Sequence, residues 1–236
     1  MKKGIVYLIP SVISPDTAEQ VLAPQIPAVV KNTHYFIAET IRESRRFISS
    51  LKLGVDISQL QFEKVDKNTQ DAETEKYLMP ALKGHNIGVL SDAGCPGVAD
   101  PGAQVARIAH KLGLQVIPLV GPSSLLLALM ASGMNGQSFA FNGYLPIDQK
   151  EATNKIKLFE KTSRTNNQTQ LFIETPYRSD RTFDILLKSL NKNSLLCIAK
   201  DITGKNEFIK TMPVQKWENQ NLIIGKEPTV FLFLAN

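Results

Sequence analysis

Two stretches of this chain carry residue types arranged for chemistry. The first, GVLSDAGCPGVADPG, runs from Gly88 to Gly102. A short apolar run stops at Ser91, and Asp92 and Asp100 then stand among glycines and prolines. In an open α/β sheet, ligands gather beyond the carboxyl ends of the strands. A carboxylate there suits a hydroxyl, an amine or a cationic group, and Gly94 and Gly97 let backbone approach a ligand closely. Two readings of Asp92 stay open: a ligand contact, or the polar member of a βα turn, where Asp and Gly are ordinary residues. Asp100 directly precedes Pro101 and reads first as a helix cap. The second stretch, VGPSS from Val120 to Ser124, has the same form of strand, Gly-Pro turn and hydroxyls. Ser123 and Ser124 would cap the following helix or touch a ligand at its start.

Several chemistries lack their residues. There is no GxxxxGK[ST] phosphate loop and no GxGxxG after a strand, so ordinary dinucleotide binding loses its main support. The three histidines are scattered, and their spacing gives no Ser-His-Asp set. Cys95 and Cys197 lie far apart without metal-type spacing, which argues against a disulfide scaffold and a structural zinc. No metal is expected.

The turns require a sheet to hold them, and the surrounding pattern supplies one. GIVYLIP (Gly4–Pro10), HYFIAE (His34–Glu39), NIGVLS and QVIPLVG read as strands. IRESRRFISSL has apolar residues at Ile41, Phe47, Ile48 and Leu51, a helical spacing. TQDAETEKYLMPALKG reads as a helix kinked at Pro80 and closed by Gly84. PGAQVARIAHKLGL opens with Pro near its first turn and closes at Gly113. Strand, helix and strand over Asn86–Val120 make a βαβ unit and predict a parallel sheet. Farther on, GPSSLLLALMASGM is helical. A charged helix follows, and the polar RTNNQTQ reads as a loop. LFIE, SLLCIAK, EFIKTMP and TVFLFLAN read as strands, and the last is apolar at successive positions, as in a strand covered on both faces. The boundary falls near Leu119–Val120, giving domains 1–118 and 119–236.

Composition sets the outer bounds. The 236 residues are 43% hydrophobic and 21% charged, with a formal net charge of +5. That suits one large or two smaller globular domains. The first half carries +1 and the second +4, which permits an anionic partner such as RNA and equally fits a solvated basic surface. The N-terminal apolar run is shorter than the core of a signal peptide, and no stretch approaches the roughly 18 apolar residues of a membrane span. A cytoplasmic protein is the expectation.

Taken together, VLSDAGCPGVADPG, VIPLVGPSSLLLALMASGM, FNGYLP and FIETPYR resemble the tetrapyrrole methylase superfamily, a class of S-adenosylmethionine-dependent methyltransferases. The nearest branch is the ribosomal RNA small-subunit (cytidine-2′-O) methyltransferases. The matching residues are Ser91-Asp92-Ala93-Gly94-Cys95-Pro96, Asp100-Pro101-Gly102, Gly121-Pro122, Gly143-Tyr144-Leu145-Pro146 and Glu174-Thr175-Pro176-Tyr177-Arg178. The resemblance implies two α/β domains with a cofactor cleft between them, a homodimer, and S-adenosylmethionine as cofactor. It carries cofactor contacts onto Pro10, Ser91, Asp92, Ala93, Ser123, Ser124, Glu174 and the backbone of Asp201, Ile202 and Thr203. It also makes Glu39, Arg42, Glu174 and Arg178 catalytic candidates, the acids to accept a proton or orient substrate and the arginines to hold phosphates.

The N-terminal motifs depart from the branch. LIPSVISPDT keeps Pro10 but lacks the Gly-Asn of the branch, and AETIR matches only at Ala38, Glu39 and Arg42. Beside an RNA substrate, two alternatives therefore stand: a small tetrapyrrole substrate, or a cofactor-binding protein that has lost catalysis.

Overall fold

The computed structural model describes residues 2–220 and 222–235. The chain divides into two compact units, one up to Ser123 and one from Ser124. The division expected at 118/119 lies at the end of the last strand of the first unit.

The first unit contains, in chain order, β1 (Ile5–Ile9), α1 (Ala18–Val21), α2 (Gln25–Lys31), β2 (Tyr35–Ala38), α3 (Ile41–Ser50), β3 (Gln61–Lys64), α4 (Asp71–Tyr77), α5 (Met79–Leu82), β4 (Ile87–Leu90), α6 (Gly102–Lys111) and β5 (Gln115–Pro118). A short 3-10 turn, Ile57–Gln59, precedes β3. The strands form one sheet in the order β3-β2-β4-β1-β5, with every pairing parallel. β4 is buried at each of its four residues, which explains the unbroken apolar run IGVL. α3 buries Ser44, Phe47 and Ile48 and turns its arginines outward, with Arg45 lying 5.2 Å over the Phe62 ring. The helix expected to kink at Pro80 instead ends and restarts. α4 stops at Tyr77, and Pro80 sits in the first turn of α5, where its missing N–H has no partner to lose. α6 is pinned to α4 by the pairs Arg107–Asp71 and Lys111–Glu75.

The second unit contains α7 (Ser124–Ser132), β6 (Phe139–Tyr144), α8 (Gln149–Asn166), β7 (Thr169–Glu174), α9 (Ser179–Ser189), β8 (Leu195–Lys200), β9 (Phe208–Pro213), α10 (Val214–Trp217) and β10 (Thr229–Leu234). Its sheet runs β6-β7-β10-β8-β9. Only β6 and β7 pair in parallel; β10 is antiparallel to both β7 and β8. β10 alternates between two cores. Phe231 and Phe233 pack with residues of α8 and α9 on one face, and Val230 and Leu232 pack with α7 on the other. Trp217 closes the first core, its indole N–H donating to the Leu196 carbonyl at 2.9 Å.

The expected RTNNQTQ loop narrows to Asn167 and Gln168, between a helix end and a strand start. α8 runs through Asn166, Asn167 takes a left-handed conformation as the cap, and β7 begins at Thr169. Polar composition misled here because a helix end on the surface needs no apolar residue. Near this helix end the Ser163 side chain is buried and accepts from the Ala235 N–H at 2.9 Å.

Candidate active site

In the first unit the loops that follow four neighbouring strands meet at the carboxyl edge of the sheet. The chain leaves β2 toward β3 on one side and leaves β4 toward β5 on the other. Adjacent strands whose connections part in this way open a crevice, the usual ligand position in such sheets. Glu39 and Thr40 follow β2, and Ser91 and Asp92 follow β4, so the two loops flank this point.

The loops are bound to one another. The Asp92 carboxylate accepts from the Thr40 N–H at 3.1 Å and from the Thr40 hydroxyl at 2.7 Å. It thus anchors the start of α3 while its residue remains exposed. Ser91 is 5% exposed; its hydroxyl donates to the Ala93 carbonyl at 3.0 Å, and its own carbonyl accepts from the Ser11 hydroxyl at 3.1 Å. The Ser11 N–H donates to the Gly94 carbonyl at 2.9 Å, which joins the loop after β1 to the loop after β4. Pro10 and Gly121 complete the set. A Cβ on Gly121 would overlap the Pro10 ring, 2.5 Å from its Cγ and nearer still to its Cβ. Only glycine lets the Gly-Pro turn after β5 lie against the end of β1. The Cys95 thiol donates to the Pro122 carbonyl at 3.3 Å, tying that turn to the β4 loop.

Asp100 holds the β4 loop in shape. Its Oδ1 accepts from the Gly97 N–H at 2.6 Å and the Gly102 N–H at 2.7 Å. Burial raises its pKa above the ordinary value, and these two bonds work against the rise. The helix-cap expectation describes it closely, although the carboxylate also closes the glycine turn on itself. Glu39 is likewise raised, by burial first and by the Asp92 charge second. Arg42 lies exposed in the first turn of α3. Ser123 and Ser124 are half-buried, and Ser124 opens α7.

In the second unit the sequence-derived candidates gather at one end of its sheet. The ends of β7 and β8 and the start of β10 coincide there, since Thr229 pairs with both Glu174 and Lys200. The Glu174 side chain is 0% exposed. One of its oxygens accepts from the Thr175 N–H at 2.7 Å; the other accepts from the Thr182 hydroxyl at 2.9 Å and pairs with Arg178 at 3.0 Å. Arg178 also donates to the Leu145 carbonyl at 2.9 Å and the Pro146 carbonyl at 3.2 Å. The GYLP and ETPYR segments are therefore one construction, with the guanidinium as the bolt. The carboxylate expected as a catalytic candidate is closed in by three donors, and the guanidinium serves three acceptors.

The loop Asp201–Thr203 is strained. Asp201 has φ 47° and Thr203 φ 68°, and left-handed backbone is uncommon for any side chain and most unfavourable for a β-branched one. The loop persists because its backbone is held: Asp201 N–H donates to Pro228, and Thr203 N–H donates to the Glu207 carboxylate at 2.7 Å. Ile202 is buried in the α7-side core. The Thr203 hydroxyl oxygen is buried with no hydrogen-bond partner, one of two such atoms among the described residues. Buried polar atoms are rarely left so.

Sequence reasoning missed Thr40, Ser11 and Thr182, which anchor the named acids and loops. Each is a hydroxyl beside a strand end or helix start, a signal too common to single out. Among the described residues no group of three His, Cys, Asp or Glu side chains is set to hold a metal ion. No helix among them is long and apolar enough to cross a membrane.

No family model matches the chain. The ribosomal RNA small subunit methyltransferase I of Vibrio cholerae is 32% identical over 172 residues, covering 73% of this chain and 58% of that protein. The protein of the same name from Bacillus subtilis is 27% identical over 226 residues, covering 94% of this chain and 73% of its relative. The chain thus spans from just over half to about three quarters of the length of these relatives. Among solved structures, the methyltransferase CobJ superposes with a TM-score of 0.64 at 16% identity, over 98% of this chain and 94% of that one. The uroporphyrin-III-C-methyltransferase of Thermus thermophilus gives 0.56 at 17% identity, over 100% and 93%. The chain is thus similar in sequence to proteins named ribosomal RNA small subunit methyltransferase I and shares the fold of the methyltransferase CobJ and of a uroporphyrin-III-C-methyltransferase.

Proposed function

We propose that this chain is an S-adenosylmethionine-dependent methyltransferase that acts on small-subunit ribosomal RNA, at a ribose 2′-oxygen, as a cytoplasmic homodimer. The observation that carries the reading is the similarity over 94% of the chain to a relative named as a ribosomal RNA small subunit methyltransferase. The structural neighbours, the methyltransferase CobJ and a uroporphyrin-III-C-methyltransferase, share only 16–17% of their residues with it, a likeness of fold that does not carry over a substrate.

The residues present fit the cofactor. In the second unit, taken by itself, the Thr203 hydroxyl lacks a partner among the described residues, and a bound polar group would supply one. Ser123, Ser124 and the exposed backbone of Asp92 and Ala93 offer the hydroxyls and amides that a carboxylate, ribose or adenine needs. When bound, S-adenosylmethionine supplies a methyl group already activated by its sulfonium. What remains for the chain is to position the nucleophile and exclude water, and to accept the proton of a ribose hydroxyl. Glu39 is the acid suited to that task, half-buried beside the β2–β4 crevice with its pKa raised. Arg42, exposed in the first turn of α3, is the cation suited to a phosphate. Glu174 and Arg178 shape the loops of the second unit.

The test is methyl transfer from labelled S-adenosylmethionine to purified small ribosomal subunits from a strain lacking this protein. Label in RNA, resistant to protease and released by nuclease, is expected. Cofactor binding by calorimetry without transfer would point to a protein that has lost catalysis. Transfer to a tetrapyrrole and not to RNA would give the alternative substrate. No binding of the cofactor or its demethylated product at millimolar concentration would remove the reading altogether.

A further inference from the structure

The positive charge of the second unit is concentrated on α8. The helix carries five Lys or Arg and two Glu, a balance of +3. Residues 119–236 together carry fourteen and ten, a balance of +4, so this one helix accounts for most of the excess. At about 100° per residue, Lys150, Asn154, Lys157 and Lys161 fall on one narrow stripe that Arg164 borders. All five are exposed, while Ala152, Ile156, Glu160 and Ser163 face the core. From Lys150 to Arg164 the stripe rises about 21 Å. Elsewhere on the surface Arg46, Lys64, Arg107, Lys111 and Lys192 each pair with a carboxylate. Lys150, Lys157 and Lys161 make no ion pair among the described residues.

The stripe itself holds no acid. Glu160 is 9% exposed and accepts from the Asn191 N–H at 2.8 Å and the Ser194 hydroxyl at 2.6 Å. Asp148 caps the helix, accepting from the Glu151 N–H at 2.9 Å, and Glu151 lies about 100° round from Lys150. Helix stability does not explain the row. Lys150 stands in the first turn, where the helix dipole disfavours a cation. Lys157 and Lys161 are like charges one turn apart, which weakens a helix. Only Arg164, in the last turn, gains from the dipole. The row also has a direction. α8 follows the Leu145–Pro146 segment that Arg178 holds, at the end of the sheet where Glu174 and Lys200 lie. It joins the parallel strands β6 and β7, and a helix between parallel strands runs back along the sheet. The stripe therefore leads from that end, at Lys150, toward the opposite end, at Arg164.

We propose that this stripe is a second contact for the RNA substrate, one that holds its phosphate backbone outside the site of methyl transfer. The inference rests on the proposed function for the nature of the substrate and adds where the RNA is held. A row of exposed cations without acids is the electrostatic footprint of a polyanion. Lys157 and Lys161 are about 6 Å apart along the helix axis, within the Debye length of about 8 Å, so their fields add. Lysines are point charges that grip phosphates without reading bases, which suits a contact remote from the nucleotide that is modified. A lipid surface is also anionic, but a helix that lies in one needs an exposed apolar face. α8 buries its own in the core with Phe172 and Phe231, and Leu158 is the one large apolar side chain it exposes.

The experiment is filter binding of small-subunit ribosomal RNA over about 50–200 mM salt. It compares the wild type with a stripe variant, Lys150→Gln, Lys157→Gln and Lys161→Gln together, and with the same three positions changed to Arg. A scattered variant, Lys31→Gln, Lys76→Gln and Lys83→Gln together, removes equal charge from exposed positions of the first unit. In the stripe variant the slope of log affinity against log salt is expected to fall by about 2–3, and affinity at about 100 mM salt to drop about tenfold or more. The arginine and scattered variants are expected to keep the wild-type slope, and the Trp217 fluorescence melt to stay unchanged in all of them. Methyl transfer to small ribosomal subunits should show a raised KM and an unaltered kcat in the stripe variant. A stripe variant that keeps the wild-type slope overturns the inference. A scattered variant that loses as much overturns it too, because net charge and not the stripe would then set the binding. Transfer to RNA by a wild type whose stripe variant binds equally well sinks the stripe alone; a wild type that neither binds RNA nor methylates it sinks the functional reading with it.

Discussion

Arg178→Ala separates a structural bolt from a substrate-binding cation. The substitution leaves the Glu174 carboxylate with no opposite charge, and that side chain is 0% exposed. It also removes the donor from the Leu145 and Pro146 carbonyls. Breaking a buried pair by deleting one partner destabilises by about 3–5 kcal/mol. Arg178 keeps 25% of its side chain exposed, so solvent weakens the pair and the lower end, about 3 kcal/mol, is expected. For a unit of this size the urea dependence is about 1.5 kcal/mol per molar, so the midpoint should fall by about 2 M. The chain's single tryptophan, Trp217, lies in the same unit, 1% exposed and edge-on to Phe183 of α9. Its fluorescence therefore reports the unfolding of the right unit. Arg178→Met combined with Glu174→Gln should recover much of the loss, because replacing both members of a buried pair is far milder than removing one. A midpoint shift below about 0.5 M for Arg178→Ala, together with a fall of about one in the salt slope of RNA binding, would refute the bolt and restore the phosphate contact.

Three further outcomes are expected. Gly121→Ala should destabilise the first unit by about 1–3 kcal/mol and weaken cofactor binding, since its Cβ overlaps the Pro10 ring; a thermal melt and calorimetry check both, and an unchanged melt would mean the Gly-Pro turn moves freely. Glu39 has an ordinary value of 4.5, raised in the fold by burial and then by Asp92. The folded chain therefore keeps a proton that the unfolded chain has released, and stability falls as pH rises from 4.5 through the raised value; Glu39→Gln should flatten that slope in a series of urea melts, and an identical slope would mean another acid, such as Asp100, sets it. Arg42→Ala should leave the melt unchanged and reduce the salt slope of RNA binding by about one, and an unaltered slope in filter binding would take Arg42 out of the RNA contact.

The sequence made some of this legible and hid the rest for physical reasons. β4, β5 and α6 could be read because burial on both sheet faces demands unbroken apolar runs, and because Pro101 and Gly113 punctuate the helix. β3 could not: QFEK is an edge strand with one apolar residue, Phe62, and edge strands need no alternation. The turns at Ser91 and Val120 stood out as breaks in composition. Which residues hold them did not, because Asp92 and Thr40 are 52 positions apart and nothing local couples them. Glu174 and Arg178 were visible as a motif, but their burial was not. Charge type suggested chemistry, and only the positions of Thr182, Leu145 and Pro146 show that their bonds are already taken.

The place of β10 in the second sheet governs how that unit is made. β10 is the last strand in the chain order and lies between β7 and β8, hydrogen-bonded to both. Before it arrives, β6–β7 and β8–β9 are two separate two-stranded ribbons, and such ribbons are marginal in water. The parallel sheet of the first unit is complete at Pro118 and has all its pairings within a part of the chain that leaves the ribosome before the second unit. The second unit must wait for residues 229–234, and its two halves of the sheet meet only through them. Synthesis therefore releases a folded first unit joined to an open second one, whose apolar strands stay exposed until a single late segment draws them together.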